Sequence, residues 1–231
     1  MRTAGIIGGL GPATTAKFYE ALVKKCRQKC DSYPPVIIDS VSFPFALEKE
    51  VVLNSYSERA MLPYLINSIT RLNNSGADFI AIPCNTIHVF IEHLREVSPA
   101  PVLSIIEETI GFIKNAGLRK VGVLSTANTL ESELYSSPLR AVGVRTILPT
   151  TAQQTCISGI IYRAVRNETV GTDVKILNGI INDMTNRGAE SVVMGCTDLQ
   201  LLLNTKNGTI IDSMSVLLDS VFNEMHAKKP R

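Results

Sequence analysis

The chain alternates short apolar runs with longer amphipathic stretches. The apolar runs, rich in Val, Ile and Leu, fall at 4–9, 35–41, 78–83, 101–104, 120–125, 143–148, 190–195 and 209–212. Most are continuous rather than alternating, the pattern of strands buried on both faces, as in a parallel sheet. Between them, apolar residues at helical spacing predict helices over 13–28, 56–74, 86–96, 105–116, 151–166, 173–187 and 213–227. Strand–helix alternation of this kind predicts an α/β fold with crossover connections.

Part of the pattern occurs twice. "GADFIAIPCNTIH" (76–88) and "GAESVVMGCTDLQ" (188–200) share a Gly-Ala-acid opening and an apolar run, and each cysteine stands eight residues after its glycine (84 − 76 and 196 − 188). "TAGIIGGLGPATT" and "KVGVLSTANTLES" both run strand, tight loop, helix. Gly5 and Gly122 lie 117 apart (122 − 5), close to the 112 between the cysteines (196 − 84). An internal duplication follows: two similar three-layer α/β domains with mostly parallel sheets, related by a pseudo-two-fold and sharing a cleft. The expected division is 1–100 plus 212–231, carrying Cys84, and 101–211, carrying Cys196, with the last helix crossing back to the first half.

The chain's 231 residues, 45% hydrophobic and 19% charged, suffice for one large core or two modest ones. A net charge of +2 with no basic block gives no nucleic-acid footprint. No apolar run approaches membrane-spanning length and the N-terminus does not read as a signal peptide, so a cytoplasmic setting without a membrane partner is expected. Five cysteines, an odd number in a chain that needs no staples, favour free thiols over a disulfide framework.

Cys84 and Cys196 each stand where a strand ends and a helix is expected to begin. That is where ligands bind in open α/β sheets, and where unpaired N–H groups favour thiolate. One cysteine alone reads as a small buried hydrophobe; two in matched settings, followed by Thr86 and Thr197, read as a functional pair. "GGLGPATT" follows a strand and opens a helix, so its backbone N–H groups suit a small anion, with Gly9 and Leu10 as candidates. The third glycine of a dinucleotide fingerprint is missing, although Asp39 stands where a ribose acid would. His88, four residues after Cys84, is placed either to tune that thiol or to orient its loop. "STANT" (125–129) suits a carboxylate or a helix cap, and "IIDSMS" (210–215) a cap alone. Cys26 and Cys30 have half a metal-site spacing but no second pair, Cys156 reads as core, and His93 and His226 as ordinary residues; no metal site is expected.

Taken together, "IIGGLGP", "PCNTIH" and "MGCTDL" resemble the aspartate/glutamate racemase family over nearly the whole chain. The resemblance implies an isomerase of two similar α/β domains that interconverts the enantiomers of an amino acid such as aspartate without a cofactor. Its two bases would be Cys84 and Cys196, one for each face of Cα. Asn85, Thr86, Thr197 and Thr126 match the family's residues around the substrate, and a homodimer is implied.

Two departures bear on the substrate. Ala46 and Ser158 stand where the aspartate racemases are expected to carry basic residues for a side-chain carboxylate, leaving Lys49 or Arg163 as substitutes. Asp198 replaces the family's usual Glu. The alternatives are a related malonate decarboxylase, maleate isomerase or hydantoin racemase, a non-catalytic binder of small carboxylates, and a disulfide switch between the two thiols.

Overall fold

The structure, a computed structural model, describes residues 1–53, 58–203 and 208–228. The first half runs β1 (Ala4–Gly8), α1 (Pro12–Lys29), β2 (Val36–Ser40), α2 (Phe45–Leu53), α3 (Leu62–Asn74), β3 (Phe79–Ala81), α4 (Ile91–Val97) and β4 (Val102–Leu103). The second half runs α5 (Ile105–Asn115), β5 (Lys120–Ser125), α6 (Ala127–Glu131), α7 (Ser136–Ala141), β6 (Arg145–Ile147), α8 (Thr151–Val165), α9 (Gly171–Asn186), β7 (Ser191–Gly195) and β8 (Ile210–Asp212). Helix α10 (Ser213–His226) closes the described chain.

Two parallel four-stranded sheets result, ordered β2-β1-β3-β4 and β6-β5-β7-β8. The orders are the same once the halves are superposed in sequence. Gly5 lies on β1 and Gly122 on β5, the second strand across in each sheet, and the two cysteine segments leave the equivalent strands β3 and β7. This is the α/β architecture that the continuous apolar runs predict.

Those runs are continuous because each strand feeds two cores. On β1, Ile6 joins a central core with Phe18 and Leu22 of α1, while Ile7 joins an outer core with Leu65, Ile69 and Leu72 of α3. On β5, Val123 faces the central core and Leu124 an outer one with Ile157, Ile160 and Ile161 of α8. Burying each such side chain contributes about 1.5–3 kcal/mol. The central core is shared by both halves, since it also holds Ile110 and Ile113 of α5 and Leu217 and Val221 of α10. Helix α10 packs on α1 and α5, and its end meets the start of the chain, where the Arg2 amide donates to the Met225 carbonyl at 2.7 Å and the Arg2 guanidinium pairs with Glu224.

Several elements differ from the sequence expectation. The helix expected over 56–74 begins as α3 at Leu62, with Pro63 in its first turn, and follows a 3-10 turn at Glu58–Met61; Pro63 lacks the N–H that a helix interior requires. Residues 56 and 57 of that expectation lie outside the described residues. The helix expected from 86 splits into a 3-10 turn, Thr86–Phe90, and α4. Helix α6 is the helix expected after the strand in "KVGVLSTANTLES", whereas α2 and α7 are not among the expected helices. α7 is too short for periodicity to show, and α2 is held by α6 and α8 across the cleft. Cys156 is exposed rather than core, because Ile157, Ile160, Ile161 and Ala164 form the buried stripe of α8. Among the described residues no helix is long and apolar enough to cross a membrane.

His88 ties the end of β3 to the start of α5. Its Nε2 accepts from the Ile105 amide at 3.1 Å, which leaves Nδ1 to donate to the Cys84 carbonyl at 2.7 Å. The ring is 2% exposed, and burial holds its pKa down at about 4. Because the folded pKa lies below the unfolded value of 6.5, the unfolded chain takes up the proton first as pH falls. Stability is therefore full above pH 6.5 and declines toward pH 4, by about 3 kcal/mol in all. Denaturant unfolding between pH 7.5 and 4.5 should show this decline, and His88→Gln should flatten it; an unchanged slope in the variant would place the titrating group elsewhere.

Candidate active site

The carboxyl ends of β3 and β7 meet in one cavity of about 60 Å³. Cys84 and Asn85, on the loop after β3, line it from the first half; Cys196, Thr197 and Asp198, after β7, line it from the second. Thr86 and Thr126 complete its polar wall. Leu10 and Gly11, in the loop after β1, also face it. Gly9 does not. It packs on the Val41 backbone and lines a neighbouring outer cavity with Ser40, Phe43 and Arg166.

Hydrogen bonds between the halves hold these groups in place. The hydroxyls of Thr86, Thr126 and Thr129 form a triangle with edges of 3.0–3.3 Å. Thr126 also caps α6 by accepting from the Thr129 amide, so capping and cavity lining coexist in one residue. Thr197 donates to the Pro83 carbonyl at 3.2 Å. Asn85 is clamped at both ends of its amide, accepting from Tyr135 at 2.6 Å and donating to Ser213 at 3.2 Å. Thr14 donates to Asp198 at 2.5 Å. Tyr135 lies in no marked motif, while Thr14, Thr129 and Ser213 fall within "GGLGPATT", "STANT" and "IIDSMS" without being singled out there; their partners Asn85, Asp198 and Thr86 are far away in the chain.

Gly11 shows how closely the two halves meet. Its φ is +93°, a left-handed conformation that disfavours any side chain, and a Cβ there would lie 2.6 Å from the Asp198 carboxylate. Position 11 therefore serves the approach of Asp198 and the turn into Pro12 at the start of α1. Asp198 is buried, and burial raises its pKa despite the bond from Thr14.

The thiols depart from the expected thiolate-favouring setting. Each precedes a short 3-10 turn rather than an α-helix. Backbone N–H groups of Thr86 and Ile87 do favour the Cys84 anion, and those of Asp198 and Leu199 the Cys196 anion. Burial outweighs them, because a thiolate loses more hydration than these few dipoles return. The Cys84 thiol is pushed up to about 12. Cys196, only 6% exposed, is also held well above its usual value, by burial first, then by Asp198, and further by charge on Cys84. Both thiols are free, and the Asp198 carboxylate raises each of them.

The other candidates are occupied elsewhere. The Gly9 amide donates to Thr15 Oγ1 at 3.1 Å, and Asp39 makes a bidentate pair with Arg71, both bonds 2.7 Å. Those partners take the groups a dinucleotide would need. Cys26 is buried on α1, and Cys30 lies 3.2 Å from His226 Nε2. His93 and His226 are exposed. Among the described residues no cluster of three or more His, Cys, Asp or Glu is arranged to hold a metal ion. Asp212 caps α10 by accepting from the Met214 amide.

Comparison with known proteins identifies the chain's relatives. The chain is 29% identical over 223 residues to the broad specificity amino-acid racemase RacX of Bacillus subtilis (strain 168), covering 94% of this chain and 95% of that one. It is 26% identical over 178 residues to a glutamate racemase of Sulfurihydrogenibium sp. (strain YO3AOP1), covering 72% and 66%. An aspartate racemase homologue from Pyrococcus horikoshii OT3 superposes with a TM-score of 0.80 at 26% identity, covering 98% of this chain and 100% of that one. Picrophilus torridus aspartate racemase has the same fold, with a TM-score of 0.82 at 24% identity, covering 99% and 96%. Residues 7–221 match the Asp/Glu/hydantoin racemase family, and the chain, an amino-acid racemase by that membership, belongs to it.

Proposed function

We propose that the protein inverts a free amino acid by two-base proton transfer at Cα, with Cys84 and Cys196 as the two bases. The observation that supports this is that one cavity receives a thiol from each half, on loops leaving equivalent strands. A planar carbanion has two faces, and inversion requires a proton carrier at each. One cysteine, as thiolate, removes the Cα proton; the Cα–H electron pair delocalises into the carboxylate. The other cysteine, as thiol, delivers its proton to the opposite face, so a new Cα–H bond forms and the protonation of the pair is reversed.

The carboxylate accumulates charge in the transition state, and donors aimed at it lower the barrier. Thr86 and Thr126 are the hydroxyls available for this, and Thr197 joins them only by giving up its bond to the Pro83 carbonyl. Asn85, held at both ends, contributes chiefly by fixing the wall between them. Leu10 closes the cavity against water, and Gly9 shapes the loop that carries it. We also propose a homodimeric assembly and a cytoplasmic setting, on the strength of the family resemblance.

Incubation with single enantiomers in deuterated buffer tests the mechanism. The native protein should invert its substrate with deuterium entering Cα. Cys84→Ala and Cys196→Ala should each lower inversion by at least about 1000-fold, since each removes a proton carrier for one face. Inversion surviving in either variant would defeat the two-base reading. The pH profile gives a second test. Burial raises both thiols, and the first must ionise before turnover, so kcat/KM should climb from pH 7 and still be rising at pH 9. A plateau beginning near neutrality would mean a thiol already ionised in the free enzyme.

A further inference from the structure

The cavity wall away from the thiols is apolar. Leu10, Phe43, Val51 and Met61 reach it from the first half, and Ile161 and Val165 from α8. Among the described residues no lysine, arginine or histidine lines it, and its one carboxylate, Asp198, would repel another.

The positions expected to hold a side-chain carboxylate do not supply a charge. Ala46 is exposed on α2, and Ser158 is bonded to Gln154 at 3.3 Å. Neither substitute serves. Lys49 is exposed and outside the lining. Arg163 is held by both oxygens of Asp173, at 2.5 and 3.1 Å, and Asp173 is fully buried. Arg166 lines only the outer cavity and pairs with both oxygens of Glu168, at 2.8 and 2.9 Å.

We propose that the substrate is a neutral amino acid with an aliphatic side chain, of the leucine or methionine kind, rather than aspartate or glutamate. The proposal rests on the racemase reading above and names its substrate class. The α-carboxylate meets the threonine hydroxyls while the side chain enters the pocket lined by Val51 of α2, Met61, and Ile161 and Val165 of α8. A second carboxylate placed there would lose its hydration and find no cation. An aliphatic side chain loses only water and gains contact with six apolar residues.

The native protein, with thiols kept reduced, would be given leucine, methionine, valine, aspartate and glutamate, each enantiomer separately, and Cα deuterium exchange followed. Leucine or methionine should exceed both acidic amino acids in kcat/KM by about 100-fold or more. Aspartate or glutamate exchanging as fast as leucine or faster, or within tenfold of it, would overturn the proposal. No exchange with any amino acid would instead remove the racemase reading itself, and this proposal with it, so the two failures are distinct. Val165→Lys gives an independent readout, because Val165 is half-buried at the end of α8 and a lysine there places a cation at the pocket. The aspartate-to-leucine ratio of kcat/KM should rise at least about tenfold. A folded variant with an unchanged ratio would overturn the proposal; should it not fold, the native panel decides alone.

Discussion

The hydrogen bonds that cross between the two halves hold the site together. Thr86 to Thr126 and Thr129, Tyr135 to Asn85, Thr197 to the Pro83 carbonyl and Thr14 to Asp198 all span from one sheet's loops to the other's. Each sheet alone would present one cysteine at one set of strand ends. Joined by these bonds, over a core shared by α1, α5 and α10, the sheets bring both cysteines to one cavity. Most of the bonding groups are buried, so each bond also satisfies polar atoms that would otherwise lose water without compensation.

Burying the thiols has a chemical consequence. The burial that brings the thiols together also raises both of them, against the opposing pull of the backbone N–H groups. A thiolate formed in such a place is poorly solvated and correspondingly basic, which suits the removal of a weakly acidic Cα proton. Asp198 strengthens the effect by disfavouring a second negative charge beside Cys196. The rest of the wall is apolar, so the proposed reactivity of the thiols and the proposed selection of the substrate side chain have a common origin in desolvation.

The repeat was legible because it is written in consecutive residues. The Gly-Ala-acid openings, the apolar runs and the cysteines that follow them recur in order, and they lie on equivalent strands of two sheets with the same strand order. Thr126 could be read as both cap and ligand, and it lines the cavity while capping α6. Gly9 was harder. Its loop is shared with Leu10 and Gly11, which face the cavity, and only the packing on Val41 turns it away. The roles of Thr14 and Tyr135 had no local sign, since their partners Asp198 and Asn85 stand 184 and 50 residues away. Cys156 misled because an apolar helix has an outer face that composition alone does not locate.

By itself the sequence determined the α/β class, the internal duplication, the two matched cysteines and the family resemblance. The first three depend on periodicity and spacing and the resemblance on the motifs "IIGGLGP", "PCNTIH" and "MGCTDL", all of which short stretches of sequence carry. Tertiary structure alone decided the upward shift of the thiols, the clamping of Asn85, the place of His88 and the apolar character of the pocket. These depend on burial and on which distant side chains face one another. Helix α2 stands at the boundary between the two. Its sequence shows no strong amphipathic stripe, yet packing against α6 and α8 makes it a helix and sets Val51 into the cavity wall.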